Sequence, residues 1–120
     1  MGCRPRTEVP LPDWSHFSDE DLADLDRAAF RERSIPSPEH VIRDPQRLAD
    51  HRRYDVPVTA IATEYTADML RDWIAQGAGQ VREFTKIRDV EYVDLPTGHW
   101  PQFTRPDDLA AAILAAIGER

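Results

Sequence analysis

The sequence predicts an α/β fold in which two parallel strands of a βαβ unit are followed by a C-terminal helix and preceded by small helices. The uncharged segment VTAIAT (58–63) has the composition of a buried strand, and VEYVDL (90–95) alternates apolar and polar residues as a half-exposed strand does. The segment between them has helical periodicity, and a helical crossover joins parallel strands. With 120 residues, the chain is one domain or part of one.

The N-terminal third begins with a segment that has no periodicity. Residues 1–13 contain three prolines, so we expect them to be irregular. A helix is predicted from Ser18 to Arg33, because Ser18 and Asp21 have the spacing of a capping box. Two prolines between Ser34 and Pro38 should end this helix.

A second short helix is predicted over Gln46–Arg52. Asp44 would cap it and Pro45 would occupy its first position. Neither helix has enough large apolar residues for a core of its own. We therefore predict that residues 1–53 form a tail and a helical, cap-like region, and that residues 54–120 form the βαβα part.

The crossover is predicted to contain two helical pieces. Thr66 can cap the first, and Gly77 stands where helices commonly end. The second piece, residues 79–88, carries apolar residues at a spacing of three. Because an interior strand needs a neighbour on each side and VTAIAT has one available partner, the sheet is expected to have an open strand edge.

One histidine, His99, follows the last predicted strand in a loop that prolines stiffen. Gly98 before it permits a tight turn, and in open α/β sheets the carboxyl ends of the strands are where ligands bind. An imidazole titrates near pH 6.5, so it can accept and return a proton at neutral pH. The alternative is a loop histidine that is bonded to the backbone.

The stretch Leu95–Leu109 resembles the C-terminal signature of the α/β-hydrolase superfamily. The shared features are the residues Gly98-His99, Trp100, Arg105-Pro106 and a helix that opens with Asp107-Asp108-Leu109. The resemblance implies the C-terminal part of an α/β-hydrolase fold, with His99 as the catalytic histidine and the preceding helices as a cap. The implied activity is hydrolysis of a small ester, amide or epoxide-like substrate.

The resemblance also implies a carboxylate that orients His99 and a pocket that holds the substrate. Asp68 and Glu64, which follow the VTAIAT strand, are both candidates for the acid, and an acid from outside this chain is a third possibility. Trp100, Trp14 and Tyr65 are candidates for the pocket. For Trp14, simple packing between the cap helices is the alternative.

The nucleophile is missing from the sequence. No G-x-S-x-G elbow occurs, and Cys3, the only cysteine, lies in the segment that is predicted to be irregular. The chain is therefore expected to be a truncated hydrolase that is inactive alone, completed by an N-terminal half or by self-association at the open strand edge. The alternative function is a non-catalytic α/β module that binds a protein partner.

Composition excludes several other classes. A net charge of −7 argues against nucleic acid, and no apolar run is long enough for a membrane helix. The four histidines lack the spacing of metal ligands and no phosphate-binding loop occurs, so we predict neither a metal nor a cofactor. The expectation is an acidic, cytoplasmic protein.

Overall fold

A computed structural model of the chain describes residues 7–23 and 25–118, which form a mixed α/β structure with a parallel strand pair. Contacts between residues divide it into two compact units, Met1–Ala49 and Asp50–Arg120. The predicted division after residue 53 lies close to this boundary.

The described residues contain α-helices, short 3-10 segments and strands. The α-helices are α1 (Asp19–Ala23), α2 (Arg27–Arg33), α3 (Glu39–Arg43), α4 (Ala67–Ala75), α5 (Pro101–Thr104) and α6 (Pro106–Gly118). The strands are β1 (Glu8–Val9), β2 (Ser37–Pro38), β3 (Val58–Ala62) and β4 (Val90–Asp94). Shorter 3-10 segments are Trp14–His16, His51–Asp55 and Gly79–Lys86.

The helix predicted from Ser18 to Arg33 is divided into α1 and α2. Ser18 caps the start of α1, since the Asp21 N–H donates to Ser18 Oγ at 3.2 Å and Ser18 Oγ in turn donates to Asp21 Oδ2 at 2.8 Å. The division arises because Asp26 acts as a second cap, accepting from the Ala29 N–H at 3.0 Å. A side chain that caps a helix cannot also occupy a helix interior, so the single-helix prediction is wrong.

The predicted helix over Gln46–Arg52 is also wrong. Helix α3 lies earlier and ends at Arg43, and Asp44 is extended, with ψ of 140°. The residue before a proline is driven out of the helical region, so Asp44 ends a helix here and does not begin one.

The N-terminal segment is less irregular than predicted. Strand β1 pairs antiparallel with β2, and the Glu39 N–H donates to the Thr7 carbonyl at 2.9 Å. This ladder connects residues about 30 apart, a pairing that local composition cannot reveal. The first six residues of the predicted tail lie outside the described part of the chain.

The second unit contains the predicted βαβ arrangement. Strands β3 and β4 are parallel, with a register from Val58 opposite Val90 to Ala62 opposite Asp94. Helix α4 forms the first part of the crossover, and Thr66 caps it by accepting from the Met69 N–H at 3.1 Å.

The core of this unit is small. Its buried apolar residues are Ala62, Ala67, Leu70 and Leu95, which come from β3, from α4 and from the end of β4. Strand β3 is less buried than predicted, because residues 58–61 are half-exposed and Ala62 alone is buried, whereas its pairing with β4 is the one that was predicted.

Helix α6 coincides with the segment that the sequence predicts to be the C-terminal helix. Its Leu109 is half-buried, whereas Ile113, Leu114 and Ile117 are exposed. In the part of the chain that the structure describes, no helix combines the length and the apolar character needed to cross a bilayer.

Candidate functional site

The loop that carries His99 is fixed to the neighbouring strand by backbone hydrogen bonds. Beyond the end of β4, the Leu95 N–H donates to the Ala62 carbonyl at 2.8 Å and the Thr97 N–H donates to the Thr63 carbonyl at 3.2 Å. The loop therefore continues to follow the chain beyond β3. Two residues later, His99 stands at the carboxyl end of the parallel pair.

A carboxylate faces His99 at this edge. His99 Nδ1 lies 3.4 Å from Glu64 Oε2, and the two side chains are 69% and 46% exposed. The pair forms because parallel strands end at the same edge of a sheet and both residues lie shortly after a strand. The separation is longer than an ideal hydrogen bond.

The pair contributes more to orientation than to stability. Two exposed groups at this distance are screened by water, so their attraction adds little to the free energy of folding. Either tautomer of the imidazole is compatible with this contact, and a proton on Nδ1 would point to Glu64 and leave the lone pair on Nε2.

The structure separates the two acids that the sequence left open. Asp68 lies in the first turn of α4, is 92% exposed, and receives a hydrogen bond from Arg71 Nη1 at 3.0 Å. Its partner in the described chain is Arg71 and not His99. Glu64 is thus the candidate acid that the fold brings to the imidazole, and Asp68 is not.

Trp100 lies beside the imidazole, and its role in a substrate pocket stays a prediction. The His99 and Trp100 rings meet edge to face, with centroids 5.9 Å apart and planes at 68°. The Trp100 carbonyl accepts from the Phe103 N–H at 2.9 Å at the start of α5, which fixes the backbone of the tryptophan. The distance and angle are those of a favourable edge-to-face aromatic pair.

Tyr65 and Trp14 have other surroundings. The Tyr65 ring packs on Trp73 with centroids 5.3 Å apart, on the side of α4. Trp14 belongs to the first unit, where it packs against Phe17 and Phe30 with centroids 5.3 and 6.1 Å away. These contacts are the packing alternative for Trp14, and its role in a pocket stays a prediction.

Two positioning residues were not identified from the sequence. Asp94 Oδ1 accepts from the Ala67 N–H at 2.6 Å, which ties the end of β4 to the start of α4. Thr97 is buried, and its hydroxyl lies 2.5 Å from that of Thr104 in α5. In the sequence, Asp94 is an ordinary polar member of an alternating strand, so its distant partner leaves no local signal.

No cluster of three or more metal-ligating side chains occurs within residues 7–23 and 25–118. Comparisons with protein-family models, with curated proteins and with solved structures gave no match to this chain.

Proposed function

We propose that this chain is the histidine-bearing part of an α/β-hydrolase-type enzyme that cleaves small esters, amides or epoxide-like substrates. One observation carries the proposal: the imidazole of His99 faces the carboxylate of Glu64 at the carboxyl end of two parallel strands. That arrangement provides the base and the orienting acid of a hydrolytic triad. The resemblance of Leu95–Leu109 to the hydrolase signature supports the same assignment.

The chemistry divides into two proton transfers. His99 Nε2 accepts the proton of a hydroxyl nucleophile as the nucleophile attacks the substrate, and the charge on the resulting imidazolium is balanced by Glu64. The same Nε2 then gives its proton to the leaving group, and the two transfers are repeated with a water molecule in place of the nucleophile, which releases the product and restores both the nucleophile and the histidine. Trp100, whose ring meets the imidazole edge to face, borders the space in which these transfers occur.

The nucleophile has to come from residues outside these 120. The sequence contains no G-x-S-x-G, and the residue after such an elbow commonly supplies one of the backbone donors that hold the oxyanion. Among the described residues β4 is the strand that pairs with β3, and a further strand from the same protein or another polypeptide would extend this sheet.

A covalent serine-hydrolase probe tests the proposal directly. A fluorophosphonate probe should not label this chain alone. When the chain is mixed with a polypeptide that supplies the G-x-S-x-G half, the probe should label the serine of that polypeptide. His99→Gln should abolish that labelling, whereas His51→Gln, at an exposed histidine in the same unit, should leave it intact. Equal labelling in the His99 and His51 variants would contradict the proposal.

A second candidate function is supported by helix α6. Leu114 and Ile117 are each 69% exposed, and they extend the apolar face of a helix that buries little of it. A non-catalytic module that binds a protein through this face would show such exposure. Binding that needs Leu114 but persists in His99→Gln, with no probe labelling in any mixture, would favour this function.

A further inference from the structure

A cavity of about 610 Å³ lies between α4 and the 3-10 segment Gly79–Lys86. It arises from the way α4 ends. Gly77 adopts a left-handed φ of 73°, its N–H donates to the Ile74 carbonyl at 3.1 Å, and the Ala78 N–H donates to the Trp73 carbonyl at 3.0 Å. This pair of bonds is a Schellman motif, and it brings the following segment back against α4.

The walls of the cavity follow from the periods of the two elements. A 3-10 helix has three residues per turn, so Ala78, Val81 and Phe84 lie on one face, and all three line the cavity. On the opposite wall, Leu70 and Trp73 are three residues apart on α4 and also face it. Both walls are therefore apolar.

The polar groups of the cavity are few and neutral. The lining carries no charged side chain, and Tyr65, whose ring packs on Trp73, borders it together with Gln80. Within the described chain, the Tyr65 hydroxyl, the Trp73 indole N–H and the Gln80 amide have no hydrogen-bond partner. They can therefore bond to a ligand without breaking an existing contact.

We propose that this cavity binds a small, neutral, planar aromatic molecule with one or two hydrogen-bonding groups. Its volume is within the range of about 300–1,000 Å³ that small-molecule pockets occupy. Aromatic walls favour a flat ring, whereas a neutral lining disfavours a charged ligand because the charge would lose water without gaining a counter-ion. Neither His99 nor Glu64 lines this cavity, so the proposal is independent of the hydrolase assignment.

The probe for a first test is 2-naphthol, with naphthalene-2-sulfonate as its charged counterpart. The three tryptophans of the ¹⁵N-labelled chain give three indole N–H resonances in a ¹H–¹⁵N spectrum, so the site is resolved without a covalently attached reporter. Addition of 2-naphthol should shift the resonance of Trp73 saturably and leave those of Trp14 and Trp100 in place. The sulfonate should shift it weakly or not at all.

Matched leucine substitutions distinguish the cavity from the surface around it. Ala78→Leu places an isobutyl group in the cavity and should weaken 2-naphthol binding by about tenfold or more. Ala75→Leu, on the exposed side of α4, should leave the affinity unchanged. Val81→Phe is a second filling variant, for use if Ala78→Leu does not fold.

Three results would overturn the proposal. The first is a shift of all three indoles together, and the second is equal binding by the cavity-filling variant and the wild type. The third is a Trp73 resonance that moves on simple dilution without 2-naphthol, which would show that a second copy of the chain occupies the cavity.

Discussion

The edge that carries His99 and the helix α6 that follows it differ in how they are held. At the edge, Leu95 and Thr97 are buried, and their N–H groups donate to backbone carbonyls at the end of β3. Thirteen residues long, α6 exposes its large side chains, among them Leu114 and Ile117. The candidate site is thus built by contacts within the second unit, whereas the helix beside it is not buried by the described chain.

The two regions differ in what their structure requires: the His99–Glu64 pair needs contacts that the described chain makes itself, whereas burial of α6 does not come from the described chain. Parallel pairing and a few backbone bonds suffice to bring His99 and Glu64 together, because both follow directly from strand ends. Burial of α6 needs apolar surface that this part of the chain does not supply. Formation of the His99–Glu64 pair therefore does not depend on burial of α6, and the pair and the helix can be tested separately.

The largest expected change in stability is at Leu70, and Leu114 provides the control. Leu70 is 3% exposed, so Leu70→Ala should lower the free energy of unfolding by about 2–5 kcal/mol. Leu114→Ala is the matched control, and because Leu114 is exposed we expect a change of about 0.5 kcal/mol or less. Urea unfolding measures both. A loss at Leu114 as large as that at Leu70 would show that α6 is packed in solution, which contradicts the comparison.

A smaller effect is expected at the link between β4 and α4. Asp94→Ala removes the acceptor of the Ala67 N–H and should cost about 1 kcal/mol, as loss of a helix cap does. Asp68→Ala removes an exposed partner of Arg71 in the same helical turn and should cost about 0.5 kcal/mol or less. Chemical denaturation distinguishes the two. Equal costs would mean that the Asp94 bond does not hold α4.

The smallest effect is a pH dependence outside the site. The Lys86 ammonium, which donates to Glu83 Oε1 at 2.9 Å, and then the Tyr54 hydroxyl lower the pKa of Glu83 from 4.5 to about 2. Because the unfolded state binds the proton more readily, the stability from this carboxylate is present above pH 4.5 and is lost as the pH falls through about 2.

An NMR titration of the Glu83 carboxyl carbon checks this pH dependence. Lys86→Met should move the midpoint back toward 4.5. A midpoint that is near 4.5 in the wild type would show that the ion pair does not persist in water.

Much of the second unit could be predicted from the sequence because its signals are local. The alternation in Val90–Leu95, the cap at Thr66 and the stop at Gly77 each depend on a few adjacent residues, and the parallel pair and helix α4 follow from them. The same reasoning failed where a residue had two possible local roles. Asp26 and Asp44 each stand at a helix boundary, but one begins a helix and the other ends one.

The site was predictable in part for the same reason. His99 could be placed at the sheet edge because Gly98 and the prolines around it define the loop. The choice between Glu64 and Asp68 could not be made, since it depends on which side chain reaches across to a loop 35 residues later. Position along the chain does not contain that information.

The central claim is that Glu64 orients the imidazole of His99 with its proton on Nδ1. The direct measurement is the tautomer of His99, read from its ring ¹⁵N shifts at pH 8 in the wild type, in Glu64→Gln and in Asp68→Asn. The account predicts a proton on Nδ1 in the wild type and in Asp68→Asn, and a loss of that preference in Glu64→Gln. An unchanged tautomer in Glu64→Gln, or a change in Asp68→Asn, would contradict it.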